Sequence, residues 1–93
     1  MSFQWDAAKA AFNLKRHDVP FEEALTVFYD PLAATFGDPE RSHGEQRPIT
    51  VRYSARGRLL VVCHTERARS LRLISARPAT KHERKRHESQ EPT

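Results

Sequence analysis

Apolar residues follow two regimes along the chain. Up to residue 29 they recur at helical spacing, and from Ile49 onward they alternate or run in short blocks. Phe3-Gln4-Trp5 is a short strand-like opening, and Asp6 is a good N-cap for an Ala-rich helix over 7–16. Ala8, Phe12 and Lys15 trace the expected inner face of that helix. His17-Asp18-Val19-Pro20 breaks it, with Asp18 suited to a left-handed C-cap. Phe21, Ala24, Leu25 and Phe28 form one apolar stripe of a second helix over 20–29, and Glu22 and Glu23 complement its positive end.

Residues 32–36 read as a strand or an extended linker, and 37–48 (GDPERSHGEQRP) as a loop. Strands are expected over 49–54, 59–66 and 71–76, with turns at 55–58 and 67–70. Residues 59–63 are apolar on both faces and so predict the central strand, covered by helices on at least one side. Thr80-Lys81-His82-Glu83 is a capping box opening a last helix to about residue 88. That helix carries no large apolar residue, so its own side chains cannot hold it by core packing. The expected fold is α+β: two N-terminal helices, an antiparallel sheet of about four strands and a charged C-terminal helix. One domain spans 1–88, and 89–93 forms a frayed tail.

Composition narrows the class. The lone Cys63 rules out an intrachain disulfide framework and fits a reducing compartment. The sequence has no membrane-length apolar run, and MSFQWDAAKA lacks a signal-peptide core, so a soluble cytoplasmic protein is expected. The net charge of +4 conceals a marked asymmetry. Residues 1–45 hold four basic against eight acidic groups, whereas residues 46–93 hold twelve basic against four acidic. Ten of those twelve are arginines, whose planar forks suit phosphate, so a polyanionic ligand is indicated.

The stretch HTERARSLRLISAR (64–77) concentrates the candidate chemistry. Within strands that must bury a face it carries His64, Glu66, Arg67, Arg69, Arg72 and Arg77. His64 and Glu66 lie two apart and share a face, whereas Arg72 and Arg77 differ by five and in regular strand point oppositely. A two-residue loop at Ala68-Arg69 would pair Glu66 with Leu71; a three-residue loop would pair His64 with Arg72. Duller explanations exist for each. His64 can be a buried imidazole bonded to a backbone carbonyl, Glu66 an ion-pair partner of Arg72 or Arg77, and Trp5 a core anchor rather than a stacking platform. Lys15, Arg16 and His17 suit a helix C-terminus electrostatically but can also line a substrate groove. The five histidines show no His-x-x-x-His spacing and no carboxylate pair frames a divalent ion, so neither metal nor cofactor is expected.

The segments FQWDAAKAAFNLKRH (3–17), VPFEEALTVFYDP (19–31), GEQR (44–47), SARGRLLVVCHTER (54–67) and LRLISARPATKHER (71–84) together resemble the BrnT toxins of bacterial BrnT–BrnA toxin–antitoxin modules. That resemblance implies a RelE-like fold and metal-independent RNA cleavage that arrests translation. It also implies neutralisation, in a hetero-oligomer, by a BrnA-like ribbon-helix-helix antitoxin that binds operator DNA. The chain departs from the family pattern at Asp18, Gln46, Arg52, Ala68, Pro78 and His87, and Pro78 removes a cation common beside the site. For cleavage by 2′-hydroxyl attack, His64 and Glu66 can transfer protons while Arg67, Arg72 and Arg77 supply charge. Lys15, His17, Arg47, Arg84 and Lys85 are expected RNA contacts. The competing expectation is a non-catalytic module that binds nucleic acid or antitoxin through the same basic surface.

Overall fold

The computed structural model describes residues 2–29, 34–36, 48–67 and 69–90. Strand β1 (Ser2–Gln4) leads into helix α1 (Ala7–His17), followed by α2 (Phe21–Ala24), which tightens into a 3₁₀ turn over Leu25–Tyr29. Strands β2 (Ala34–Phe36), β3 (Ile49–Tyr53), β4 (Leu59–Arg67) and β5 (Ser70–Pro78) follow, and helix α3 (Lys81–Gln90) ends the described chain. The sheet order is β1-β5-β4-β3-β2, so β4 is central, as its two apolar faces require. The expected loop over 37–48 lies outside the described residues except for Pro48. Among the described residues no helix is long and apolar enough to cross a membrane.

The expected all-antiparallel sheet needs correction. Among the described residues the sheet has five strands, close to the expected number, and is mixed, because β1 pairs parallel with β5. No hairpin joins β1 to β5, so nothing local forces an antiparallel direction. The chain enters at the free edge and turns at once into α1.

Local signals elsewhere behave as their chemistry dictates. Asp6 accepts the Lys9 amide, and Asp18 closes α1 at φ 57° with its amide on the Leu14 carbonyl. The β3–β4 turn closes by Gly57 N–H donating to Ser54, with Gly57 at φ 81°, a left-handed position that suits glycine. The β4–β5 hairpin pairs Arg67 with Ser70 and Glu66 with Leu71, one of the two registers the sequence leaves open.

One face of the sheet carries the core. Leu60 and Val62 of β4 and Leu71, Leu73 and Ala76 of β5 pack against Val19, Phe21, Ala24 and Val27. Each fully buried Leu or Phe contributes about 1.5–3 kcal/mol. Helix α1 meets this core by an unexpected face. Phe12 and Ala8 point to solvent, Phe12 being 62% exposed, and Asn13 is buried instead. The Asn13 amide accepts from the Ala76 N–H (2.9 Å) and donates to the Ala76 and Val19 carbonyls (2.8 and 2.9 Å). It thus occupies, beyond the end of β1, the place where a sixth strand would satisfy β5. That bidentate pairing orients α1 and leaves Phe12 outside.

Helix α3 lies on the opposite face. Glu83 and His87, one turn apart, meet Arg77 on β5 and Tyr53 on β3, so the helix crosses β4 over the buried Leu59 and Val61. As its composition demands, polar contacts hold it. Glu83 makes both bonds of the capping box with Thr80 and a two-oxygen ion pair with Arg77. Arg77 brings the Glu83 carboxyl down to about 2, and the capping bonds reinforce the shift.

Candidate functional site

The hairpin β4–β5 holds most of the expected site, and a bulge decides its geometry. Pairing runs Glu66–Leu71, Thr65–Arg72 and His64–Leu73, then slips to Cys63–Ser75, Val62–Ala76 and Val61–Arg77, leaving Ile74 unpaired. One extra residue reverses the parity of everything after it. Arg72 and Arg77, five apart, therefore share the face opposite the core, alongside Thr65 and Val61. His64 and Glu66 share the core face with Leu60 and Val62.

His64 is fully buried there. Its Nε2 lies 2.9 Å from the Thr50 hydroxyl, its ring stands edge-on to Phe28 at 5.0 Å, and Nδ1 has no hydrogen-bond partner. Burial pushes its pKa below the ordinary 6.5, against an opposing pull from Glu66. The imidazole is thus neutral and enclosed, bonded to a side-chain hydroxyl rather than to a backbone carbonyl. Glu66, farther along the strand, is exposed.

The arginines divide by partner. Arg58 is bound to the buried Glu23, donating from Nε at 2.9 Å and from a terminal nitrogen to the other oxygen. The Ser54 hydroxyl donates to the same carboxylate at 2.7 Å. These bonds, Arg58 foremost, hold the Glu23 carboxyl below its usual range. Glu23 thereby clamps the β3–β4 turn onto α2, where its helix-end position had suggested only a dipole role. Arg77 is half-buried and neutralised by Glu83 at 2.7 and 2.9 Å. Arg72 has no hydrogen-bond or ion-pair partner among the described residues, and Glu66 partners neither arginine. Its exposed guanidinium lines a concavity of about 440 Å³ with Phe3, Gln4 and Trp5. Trp5 serves on two sides, edge-on to Phe21 at 5.9 Å and open to that concavity. Gln4 arrives through the parallel register Gln4–Arg72, a pairing invisible in the sequence.

A family comparison settles the lineage. Residues 5–83 match the model of the ribonuclease toxin, BrnT, of type II toxin-antitoxin systems. The chain belongs to the BrnT family. No curated protein matches it. The expected RNA contacts of this BrnT chain occupy several surfaces. Lys15 is exposed on α1, and His17 lines a second concavity, between α1 and β5. Arg84 and Lys85 are exposed on α3. Arg47 and its neighbour Glu45 lie outside the described residues, as does the side chain of Arg67. Among the described residues no three His, Cys, Asp or Glu side chains group as a metal ion needs. Sequence reasoning did not place Gln4 beside Arg72 or Phe12 on the surface. The i, i+4 spacing of Phe12 and Arg16, whose guanidinium lies 6.0 Å from the ring centroid, was the available signal for Phe12.

Proposed function

We propose that this BrnT-family chain is a metal-independent endoribonuclease that cleaves RNA by attack of a 2′-hydroxyl on its adjacent phosphate. Arg72 is the cation that stabilises the phosphorane. The reading rests on one observation: Arg58 and Arg77 are neutralised by carboxylates and Arg52 lies against His87 and Tyr53, whereas Arg72 has no partner among the described residues and lines a concavity with an aromatic ring and an amide. An exposed guanidinium with no carboxylate partner among the described residues is open to a phosphate bound in two-pronged fashion, while Trp5 offers a face to a base. Proton transfer falls to Glu66, whose exposed carboxylate lies at the hairpin end, past the core and on the face opposite Arg72, so that it must reach the substrate around that end, and His64 stays a core residue. Arg67 and Arg77 add charge at the two ends of the strand pair, Arg77 once a substrate phosphate competes with Glu83. Lys15, Arg47, Arg84 and Lys85 hold the strand. Such a toxin acts on cytoplasmic RNA to inhibit translation. A ribbon-helix-helix antitoxin that also binds operator DNA neutralises it, laying an acidic segment over the basic surface.

The test is incubation of purified chain with end-labelled RNA in excess EDTA. Products carrying 2′,3′-cyclic phosphate and 5′-hydroxyl ends are expected, with Arg72→Ala slower by roughly 10²–10³-fold, as for loss of one preorganised charge-stabilising group. Glu66→Gln tests the proton acceptor. Cleavage by Arg72→Ala at the parent rate refutes the assignment. One observation favours a second reading, a binding module without catalysis. With His64 enclosed and Arg77 neutralised, few catalytic groups converge on Arg72. RNA binding without cleavage would establish that reading instead.

A further inference from the structure

Helix α1 turns an aromatic residue and several cations outward beside the concavity of Arg72. Lys9, Phe12, Arg16 and His17, with Ile74 and Ser75 of β5, line a second groove of about 420 Å³. Phe12 is 62% exposed, although burying it would have been the ordinary fate of a helix phenylalanine. Lys9, Lys15 and Arg16 have no acidic partner among the described residues, and Arg16 lies against the Phe12 ring. An apolar protein segment would leave these cations uncompensated, whereas a polyanion with flat bases satisfies cation and ring together. The two concavities adjoin the same strand. Arg72 and Ser75 are three positions apart, about 10 Å of extended chain, and both lie on the face away from the core.

We propose that the α1–β5 groove is a second RNA subsite, continuous with the Arg72 concavity, in which Phe12 stacks one base of a single strand whose phosphates lie against Lys9, Arg16 and His17. The inference rests on the ribonuclease reading and deepens it. The substrate is unpaired RNA, since a base enclosed in a duplex offers no free face for Phe12. Trp5 and Phe12 then mark successive base positions along one track.

The experiment uses the full chain and a fluorescein-labelled 2′-O-methyl pyrimidine octamer, which lacks the free 2′-hydroxyl and cannot be cut. Binding is followed by anisotropy in excess EDTA. Phe12→Ala and Phe12→Leu are expected to weaken binding about 5- to 100-fold, the range for loss of one base–aromatic stack, and Phe12→Trp to retain it. Position 12 is exposed and Ala and Leu are better helix formers than Phe, so these variants fold. Arg16→Ala is expected to lower the log–log salt slope by about 0.7. Parent-like binding by Phe12→Ala and Phe12→Leu, with Arg72→Ala weakened, overturns the second subsite and leaves the ribonuclease reading intact. Binding kept by Phe12→Leu but lost by Phe12→Ala overturns stacking in favour of an apolar docking face. Equal binding of the octamer annealed to its complement overturns the single-strand assignment. Failure of the parent chain to bind the octamer at all removes the ribonuclease reading and this one with it.

Discussion

Asn13 carries more of the fold than its place in an exposed helix suggests, and Asn13→Ala tests that directly. The substitution removes three buried hydrogen bonds, from the Ala76 N–H and to the Ala76 and Val19 carbonyls. It leaves those three backbone groups without partners beyond the end of β1. Each unsatisfied buried group costs about 1–3 kcal/mol. Water entering the vacated space relieves part of this, and alanine regains roughly 0.5 kcal/mol of helix propensity. The expected net loss is about 2–5 kcal/mol, a large share of the roughly 5–15 kcal/mol that stabilises a small domain. Urea denaturation followed by Trp5 fluorescence measures the total, and hydrogen exchange at the Ala76 amide localises it to β5. Asn13→Asp separates hydrogen bonding from volume. A carboxylate still accepts from Ala76 but turns its second oxygen toward two carbonyls, so its folded pKa is expected to rise. A raised carboxyl pKa means stability falls as pH rises through it, and this variant should therefore recover relative to the parent on going from pH 7 to pH 4. A loss below about 0.5 kcal/mol in Asn13→Ala, with Ala76 protection unchanged, would refute the account.

The remaining predictions concern titration. His64 is held neutral by burial, its folded pKa below 6.5, so the unfolded chain binds the proton more readily. Stability is expected to be full above that value and to fall toward acid with a slope approaching about 1.4 kcal/mol per pH unit. The denaturant midpoint of His64→Gln should lack this contribution; identical pH slopes in variant and parent would show the imidazole to be accessible. Glu83 titrates at about 2 against an ordinary 4.5, so its anchoring of α3 is complete above 4.5 and is lost as pH falls toward 2. Both partners are about one-third exposed, and screening limits the pair to roughly 0.5–1 kcal/mol. Glu83→Gln should speed amide exchange in α3 at pH 7 without altering β4; protection equal to the parent's would mean other contacts hold the helix.

Signals confined to neighbouring residues were legible in the sequence, and signals requiring two distant segments were not. The Asp6 cap, the Asp18 left-handed turn and the Thr80–Glu83 capping box each depend on a few adjacent residues, and each formed as read. The β4–β5 register, open between two loop lengths when read from the sequence, took the Glu66–Leu71 pairing. The inner face of α1 was misread because hydrophobic periodicity treats Asn13 as an interruption. Its value depends on Ala76, sixty-three residues away, needing a substitute strand. The site depends most on a feature without any residue signature. Ile74 is an ordinary strand residue by composition, yet leaving it unpaired changes which arginines share a face. Without the bulge, Arg77 would continue the Glu66–Leu71 register onto the face of His64 and enter the packed core side, where its charge would need a buried partner. With the bulge, Arg77 reaches Glu83 on α3 and Arg72 keeps the same open face unneutralised. The bulge thus settles both the docking of a helix that has no apolar face and which of the two β5 arginines stays without a partner among the described residues.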